Sequence, residues 1–315
     1  MVEMTLSHGL FEWSAASLST LGSLSLWVMG DVDTAQYIGE CALKMQEKIE
    51  SEAGKAKTLI TLYLFTLHHV KPLQCFSKPF LEGYRSGMRT GDKSAAMICL
   101  FSYVFLQYVI GKPLKMIEEQ CKVSVSQMEE LKEGEQALCQ KISWQFYLNL
   151  MGLSNETVEL RGKAMDETGV EFTTLSHAMF VLTKVNAYSL FGEYELGARM
   201  ALKRADKQVL SLKGGSFRSM IFLFHRSLCL YAMVRKNRKK NEKYTAEASR
   251  IRKQLTDSLK EQNPNVLHYV SILNAEHEAL EHKKNQEGDV CRLYNDAIIM
   301  SARGGYTHDA ALAQE

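Results

Sequence analysis

A His-Glu pair on a helix is half of the zinc-protease motif, in which two histidines one turn apart hold the metal and the Glu activates water. His277-Glu278 opens such a phrase, but position 281 is Glu and the second histidine is His282, one residue too far and off the face. His277 falls in register with Val266, Val270, Leu273 and Leu280, so it reads as a hydrogen-bonded core histidine. The pair also resembles a phosphoacceptor His followed by an acid, without the Arg or Lys, Thr and Pro that complete that phrase. His68-His69 has no carboxylate or thiol at ligand spacing. Three Gly-Lys pairs could end a phosphate-cradling loop: Gly54-Lys55, Gly111-Lys112 and Gly162-Lys163. Such a loop needs Gly five positions earlier and Ser or Thr after the Lys. Those places hold Ile49 and Ala56, Leu106 and Pro113, and Thr157 and Ala164. There is no Gly-x-Ser-x-Gly elbow, no Gly-x-Gly-x-x-Gly turn and no pair of carboxylates in an apolar setting. The residues thus assign no catalytic, cofactor or metal site, and the chain reads as a non-enzyme.

Charge leads to the same place. The 38 basic and 36 acidic residues leave a formal net charge of +2, so no global field draws the chain to nucleic acid or an anionic membrane. The densest basic run, 235 to 243 with Arg238, Lys239 and Lys240 at its centre, has only Tyr244 as an aromatic neighbour. Acids return at Glu242 and Glu247, so it reads as a solvated loop and polar helix face. Seven scattered cysteines with no Cys-x-x-Cys spacing, most of them among apolar neighbours, suit reduced thiols in a cytoplasmic protein. Residues 94 to 110 are the most apolar run. They fall short of the ~20 residues of a spanning helix and are bordered by Asp92, Lys93 and Lys112, which predicts a buried central helix.

The elements that must position these residues are helices. Only four prolines occur, Leu, Ala, Met, Glu and Lys are abundant, and 46% of the residues are hydrophobic. Val290, Leu293, Tyr294, Ala297, Ile298 and Ser301 mark one helix face, and no stretch alternates as a strand would. A Gly followed by an acid recurs at Gly30-Asp31, Gly91-Asp92, Gly192-Glu193 and Gly288-Asp289. The Gly can close one helix in a left-handed conformation while the acid favours the next N-terminus. Each phrase is followed by a trio at i, i+4, i+7: Ala35, Gly39 and Ala42; Ala95, Cys99 and Ser102; Ala198, Leu202 and Ala205; Val290, Tyr294 and Ala297. Mostly small residues at this spacing are found where the second helix of a tetratricopeptide unit meets the first. The phrases lie 61, 101 and 96 residues apart, near two or three units of ~34 residues each. Small residues at the crossings of any helical bundle would give the same spacing. Boundaries follow: Thr34 or Asp33 caps a helix to about Ser51, Pro72 and Pro79 suit first turns, and Pro113 opens a short helix. Ser154 with Thr157, then Thr173 or Thr174, start later helices, and Asn263-Pro264 separates two more.

Four segments carry a family resemblance: Gly-Lys-Pro-Leu (111 to 114), Trp-Gln-Phe-Tyr-Leu-Asn-Leu-Met-Gly (144 to 152), Phe-Gly-Glu-Tyr-Glu-Leu-Gly-Ala (191 to 198) and Leu-Tyr-Asn-Asp-Ala-Ile-Ile-Met (293 to 300). Together with the closing stretch, in which Tyr294, Asp296, Ala297, Ile298, Ala302, Gly305, Tyr306, His308 and Ala310 to Ala313 match, the chain resembles the helical region of large multidomain signalling proteins. In that family a kinase-like domain and an AAA-type ATPase precede the region, and GAF and histidine kinase modules follow. The resemblance spans nearly the whole chain. It departs at Ser301, where many relatives have Ala, and in holding none of the catalytic modules.

The expectation is therefore an all-α chain, an α-solenoid of antiparallel, tetratricopeptide-like helix pairs over residues 1 to 315, and a piece of a larger protein. The resemblance implies a regulatory arm that contacts neighbouring domains or other proteins, with no cofactor, nucleic acid or membrane partner. A stand-alone peptide-binding adaptor is the competing reading, and an enzyme with a hidden site on a helical fold the third. The residues fix no oligomeric state.

Overall fold

The computed structural model describes residues 2–203, 215–236, 242–281 and 287–315. All regular structure among them is helical, apart from one isolated bridge between Arg161 and Asp166. The helices are α1 (Val2–His8), α2 (Ser14–Met29), α3 (Val32–Lys48), α4 (Lys55–Ile60), α5 (Ser77–Thr90), α6 (Lys93–Val109), α7 (Leu114–Glu130), α8 (Gly134–Leu150), α9 (Thr174–Leu190), α10 (Tyr194–Lys203), α11 (Arg218–Lys236), α12 (Glu242–Lys260), α13 (Leu267–Glu281), α14 (Glu287–Arg303) and α15 (Thr307–Leu312). After Ile60 the helix widens into a π-helical turn, Thr61–Thr66, followed by tight turns at Leu67–His69 and Leu73–Cys75.

Punctuation sets the connections. Gly30 (φ 68°) and Gly91 (φ 79°) end their helices in the left-handed region. Asp31 and Asp92 then cap the next helix by accepting from the backbone N–H of Thr34 and Ala95. The cap of α3 is thus Asp31, not Asp33 or Thr34, and the helix ends at Lys48, short of Ser51. Gly192 (φ 78°) precedes α10 in the same way. Gly288 differs: it lies within the first turn of α14 and not in the left-handed region. Pro113 opens a full helix of 17 residues, not a short one. Ser154 and Thr157 start no helix at all. The segment from 151 to 173 is irregular because side chains of α8 satisfy its backbone: Asn149 donates to the carbonyls of Thr157 and Glu159, and Gln145 accepts from Ala164 N–H. Thr173 with Ser176 forms the capping box that starts α9.

The helices lie in two rows. α2, α4, α6, α8, α9, α11 and α13 touch in that order, and α3, α5, α7, α10 and α12 each rest across two consecutive members of that row. The inner row carries the core. On α6, Ala95 to Met97, Cys99, Phe101, Ser102 and Val104 to Val109 are all buried, as the apolar run predicts. No described helix is long and apolar enough to cross a membrane.

Close crossings need missing side chains. A Cβ on Gly83 of α5 would lie 2.5 Å from the Cys99 sulfur on α6, and one on Gly197 of α10 would lie 2.5 Å from the Cys229 sulfur on α11. Two of the expected trios are buried throughout, Ala35, Gly39, Ala42 and Ala95, Cys99, Ser102. In the third Ala198 is buried, Leu202 is exposed and Ala205 lies outside the described residues; in the fourth only Ala297 is fully buried.

The row also curls so that parts distant in sequence meet. Leu64 of the π-turn accepts a hydrogen bond from Phe217 N–H, and the Phe217 ring packs against Phe80 and Phe105. Arg218, 5% exposed, spreads its guanidinium over Phe101, Phe105 and Phe217 and donates to the Ser102 hydroxyl. Burial lowers its pKa to about 10, so it stays charged at neutral pH.

Candidate functional site

A groove of about 760 Å³ runs between α11, α13 and α14. Leu228, Ala232, Ile272 and Ile298 supply its apolar lining, and residues Leu312 to Glu315 close one side. Its polar centre is a chain of three side chains. Arg235 pairs with Glu276 at 2.6 Å, and the Tyr294 hydroxyl donates to the other Glu276 oxygen at 2.7 Å. Burial and the Glu276 carboxylate push the Tyr294 phenol up, so it remains a donor. The groove thus sets apolar walls beside a chain of hydrogen-bond donors and acceptors.

Buried polar residues lie beneath the helix closing this groove. Asp309 of α15 is 2% exposed, and its Oδ2 lies 3.3 Å from His268 Nε2 and 3.5 Å from His308 Nε2. The His268 ring stacks on Tyr306 at 3.8 Å and lies tilted by 45° against Tyr269. Burial pushes the Asp309 carboxyl up, but His308, His268 and His225 together hold it below the usual carboxylate range. Burial pushes His268 down against the pull of Asp309, and drives His225, bonded to the Ser189 hydroxyl, down to about 4.

Asn265 joins this cluster to the early part of the chain. Its Oδ1 accepts from Leu73 N–H and faces the Tyr306 hydroxyl at 3.2 Å, and its Nδ2 donates to the carbonyls of His68 and Lys71. Gln74 adds a bond to the Gly304 carbonyl. One buried amide thus fastens the turns after the π-helix to α13 and to the start of α15.

A second buried ion cluster fixes the irregular segment. Lys184 of α9, 2% exposed, donates to Glu159 at 3.2 Å and to Glu167 at 3.0 and 3.1 Å. Between α11 and α12, buried Arg226 and exposed Arg250 share Glu247.

Residues that the sequence singled out lie apart from one another. His277 is half-buried against the Tyr231 ring, and His282 lies outside the described residues. His68 and His69 are fully buried in the turn after the π-helix, their rings 4.1 Å apart. Lys55 pairs with Glu82, Lys163 lies 4.0 Å from Glu118, and Gly111 sits against Thr307 and His308. Of the basic run, Arg235 belongs to the groove and Lys243 lies over Tyr244; Arg238, Lys239 and Lys240 lie outside the described residues. Among the described residues, no group of His, Cys, Asp and Glu could hold a metal ion. Cys99, Cys121, Cys139 and Cys229 are buried free thiols, Cys41 is half-buried, and Cys75 and Cys291 are exposed. Burial pushes Cys139 and Cys229 up to about 12.

Sequence reasoning missed Asn265, His225, His268, Asp309 and Lys184. Asn265 follows a Pro that reads only as a helix stop, and its four partners lie more than 40 residues away.

Compared with known protein families, with characterised proteins and with solved structures, the chain matches none.

Proposed function

We propose that this chain is a tetratricopeptide-like α-solenoid, a non-catalytic scaffold that serves as the regulatory arm of a cytoplasmic signal-transduction ATPase or kinase. It takes up a segment of a neighbouring domain or partner protein in the groove between α11, α13 and α14. The observation that carries the reading is the stagger of the two rows, in which outer helices bridge successive inner ones across crossings as close as Gly83 on Cys99 and Gly197 on Cys229. That is how a stack of helix pairs builds a continuous core from nearest-neighbour contacts. The buried charged groups also support a structural role. Lys184 is engaged by Glu159 and Glu167, and Arg226 by Glu247.

Two measurements test it. The reading frame on either side of residues 1 to 315 should encode nucleotide-binding and kinase modules. Stop codons bounding the segment would refute the arm and favour the stand-alone adaptor. Hydrogen exchange with and without those modules should slow amides around Glu276, Tyr294 and Asn295. Protection confined to other surfaces would refute the groove.

A further inference from the structure

Two of the buried histidines stand at the inner end of the groove. On α11, His225, Leu228, Ala232 and Arg235 follow the i, i+3, i+7, i+10 spacing of one helix face. On α13, His268, Ile272, Glu276 and Ala279 follow i, i+4, i+8, i+11 in the same way. All but the two histidines line the groove, so the imidazoles continue its two walls inward. Ser189, another lining residue, bonds the His225 ring. Asp309 of α15 meets this end of the walls, 3.3 Å from His268.

α15 itself is lightly held. Its six residues are too few for a helix to persist without tertiary contacts. From 307 to 315 only Asp309, Ala310 and Ala313 are buried, with His308 and Leu312 half-buried, so little apolar surface fastens it. Just upstream the chain is fixed, because Gln74 donates to the Gly304 carbonyl and Asn265 meets the Tyr306 hydroxyl. Downstream, Leu312 to Glu315 lie along the groove. The segment is a strap tied at Tyr306 and laid over one side of the groove, with a single carboxylate among histidines as its deepest contact.

Granting that the groove is the docking site, we propose that α15 is its proton-operated latch: when His268 takes up a proton, residues 307 to 315 undock and open the side of the groove they close, while Gly304 and Tyr306 stay in place. The cluster sets the direction. Among the described residues, the charged groups that bear on His268 are Asp309 and His308, and Asp309 also feels His225 of α11. Tyr108 of α6, Tyr269 of α13 and Tyr306 surround the same carboxylate, and burial keeps all three phenols neutral. For His268 the cost of burying a charge outweighs the pull of Asp309, so the docked latch keeps the imidazole neutral. An undocked strap leaves His268 to water, where its ordinary value of ~6.5 returns. Below that pH, protons favour the open state. Asp309 stays ionised in both states down to about pH 4, so it adds no opposing proton uptake in this range. Protonation of a histidine cluster is a known way to release a packed element, and here the released element borders the groove.

Amide exchange of the full chain, alone, at pH 7, 6 and 5 tests this, each rate being divided by that of an unstructured peptide at the same pH. The Ala310 and Ala313 N–H groups, bonded to the Tyr306 and Asp309 carbonyls, should lose protection at least ~5-fold between pH 7 and 5. One imidazole with an ordinary value of ~6.5 can drive at most ~25-fold over that range. Gly304 and Tyr306 N–H, bonded to the Met300 and Ser301 carbonyls, should keep their protection. Nile red, a neutral apolar dye, should brighten with the same midpoint as the seat of Leu312 and Ala313 opens. His268→Gln cannot charge and should flatten both profiles. Should that variant not fold, proton resonances of the wild-type histidine rings replace it, and the His268 ring should titrate together with the loss at Ala313. Constant protection at Ala310 and Ala313 down to pH 5 would overturn the latch. So would an equal loss in His268→Gln, a His268 ring that titrates apart from Ala313, or an unchanged dye signal. None of these readings needs a partner. A latch that opens while neighbouring modules leave the groove amides unprotected would sink the docking reading alone.

Discussion

Alanine at position 83 puts a methyl group where the Cys99 sulfur already sits. The contact would be 2.5 Å, about 1 Å closer than two such atoms tolerate, with Leu59 Cβ at 3.6 Å on the other side. Gly83 is inside α5, so the change gains up to ~1 kcal/mol of helix propensity and loses ~1–3 kcal/mol to overpacking. The net expectation for Gly83→Ala is a loss of about 1 kcal/mol. Cys99→Ala alone leaves a small void and costs a similar amount. The pair of changes should not add. With the sulfur gone the new methyl fills the space it left, so the double variant should recover most of the loss, with a coupling of about 1.5–3 kcal/mol. Urea unfolding followed at 222 nm for all four chains closes the cycle. Coupling below ~0.5 kcal/mol would mean that α5 and α6 do not meet at this point, and the close-crossing account of the two rows would fail with it.

Asn265→Ala removes the acceptor of Leu73 N–H and the donor to the His68 carbonyl, both buried, and to the half-buried Lys71 carbonyl. It should cost ~2–4 kcal/mol in urea and speed amide exchange in residues 67 to 76. Lys184→Met leaves Glu167 and Glu159 facing each other without their cation; a loss of about 3 kcal/mol at neutral pH is expected, with new protease cleavage between residues 151 and 173. Acid should loosen the chain in two stages. His225 and His268 are held below their ordinary value, so the unfolded chain takes up protons first. Their stability contribution is whole above ~6.5 and falls as pH drops towards the folded values, about 4 for His225, amounting to ~3 kcal/mol for that residue. Asp309, held below 3.8, contributes above that pH and is lost only beneath it. Stability measured from pH 7 to 4 should fall more steeply in the wild type than in His225→Gln; parallel curves would refute the buried neutral imidazole.

Local chemistry was legible where it is local. Gly30-Asp31 and Gly91-Asp92 became left-handed ends and aspartate caps, because both roles depend on residues within one turn. The apolar run 94 to 110 became α6 for the same reason. Gly288 resembled those glycines in sequence and differs in structure, since a Gly-acid pair is also compatible with a helical first turn. The irregular stretch after α8 was misread from Ser154 and Thr157. Its backbone is satisfied by Gln145 and Asn149, which in sequence look like polar interruptions of a helix face. His277 fitted an apolar stripe and is only half-buried, while the histidines that matter to the interior, His225 and His268, carried no periodic mark. The groove draws on residues of α9, α10, α11, α13 and α14 and on Leu312 to Glu315, a combination that no window of sequence contains.

The Asn265 contacts change how the molecule can come apart. A row of units that meets only its neighbours frays from either end, each unit leaving at its own small cost. Here an amide late in the chain holds turns that lie almost 200 residues earlier. Releasing the start of α13 therefore also unfastens the turns after α4, because either movement leaves the Asn265 amide and the His68 and Lys71 carbonyls without each other. The chain behaves less like a zipper than like a belt with its buckle closed: slack at one point is resisted at the other, with the bonds from Phe217 to Leu64 and from Gln74 to Gly304 as further fastenings.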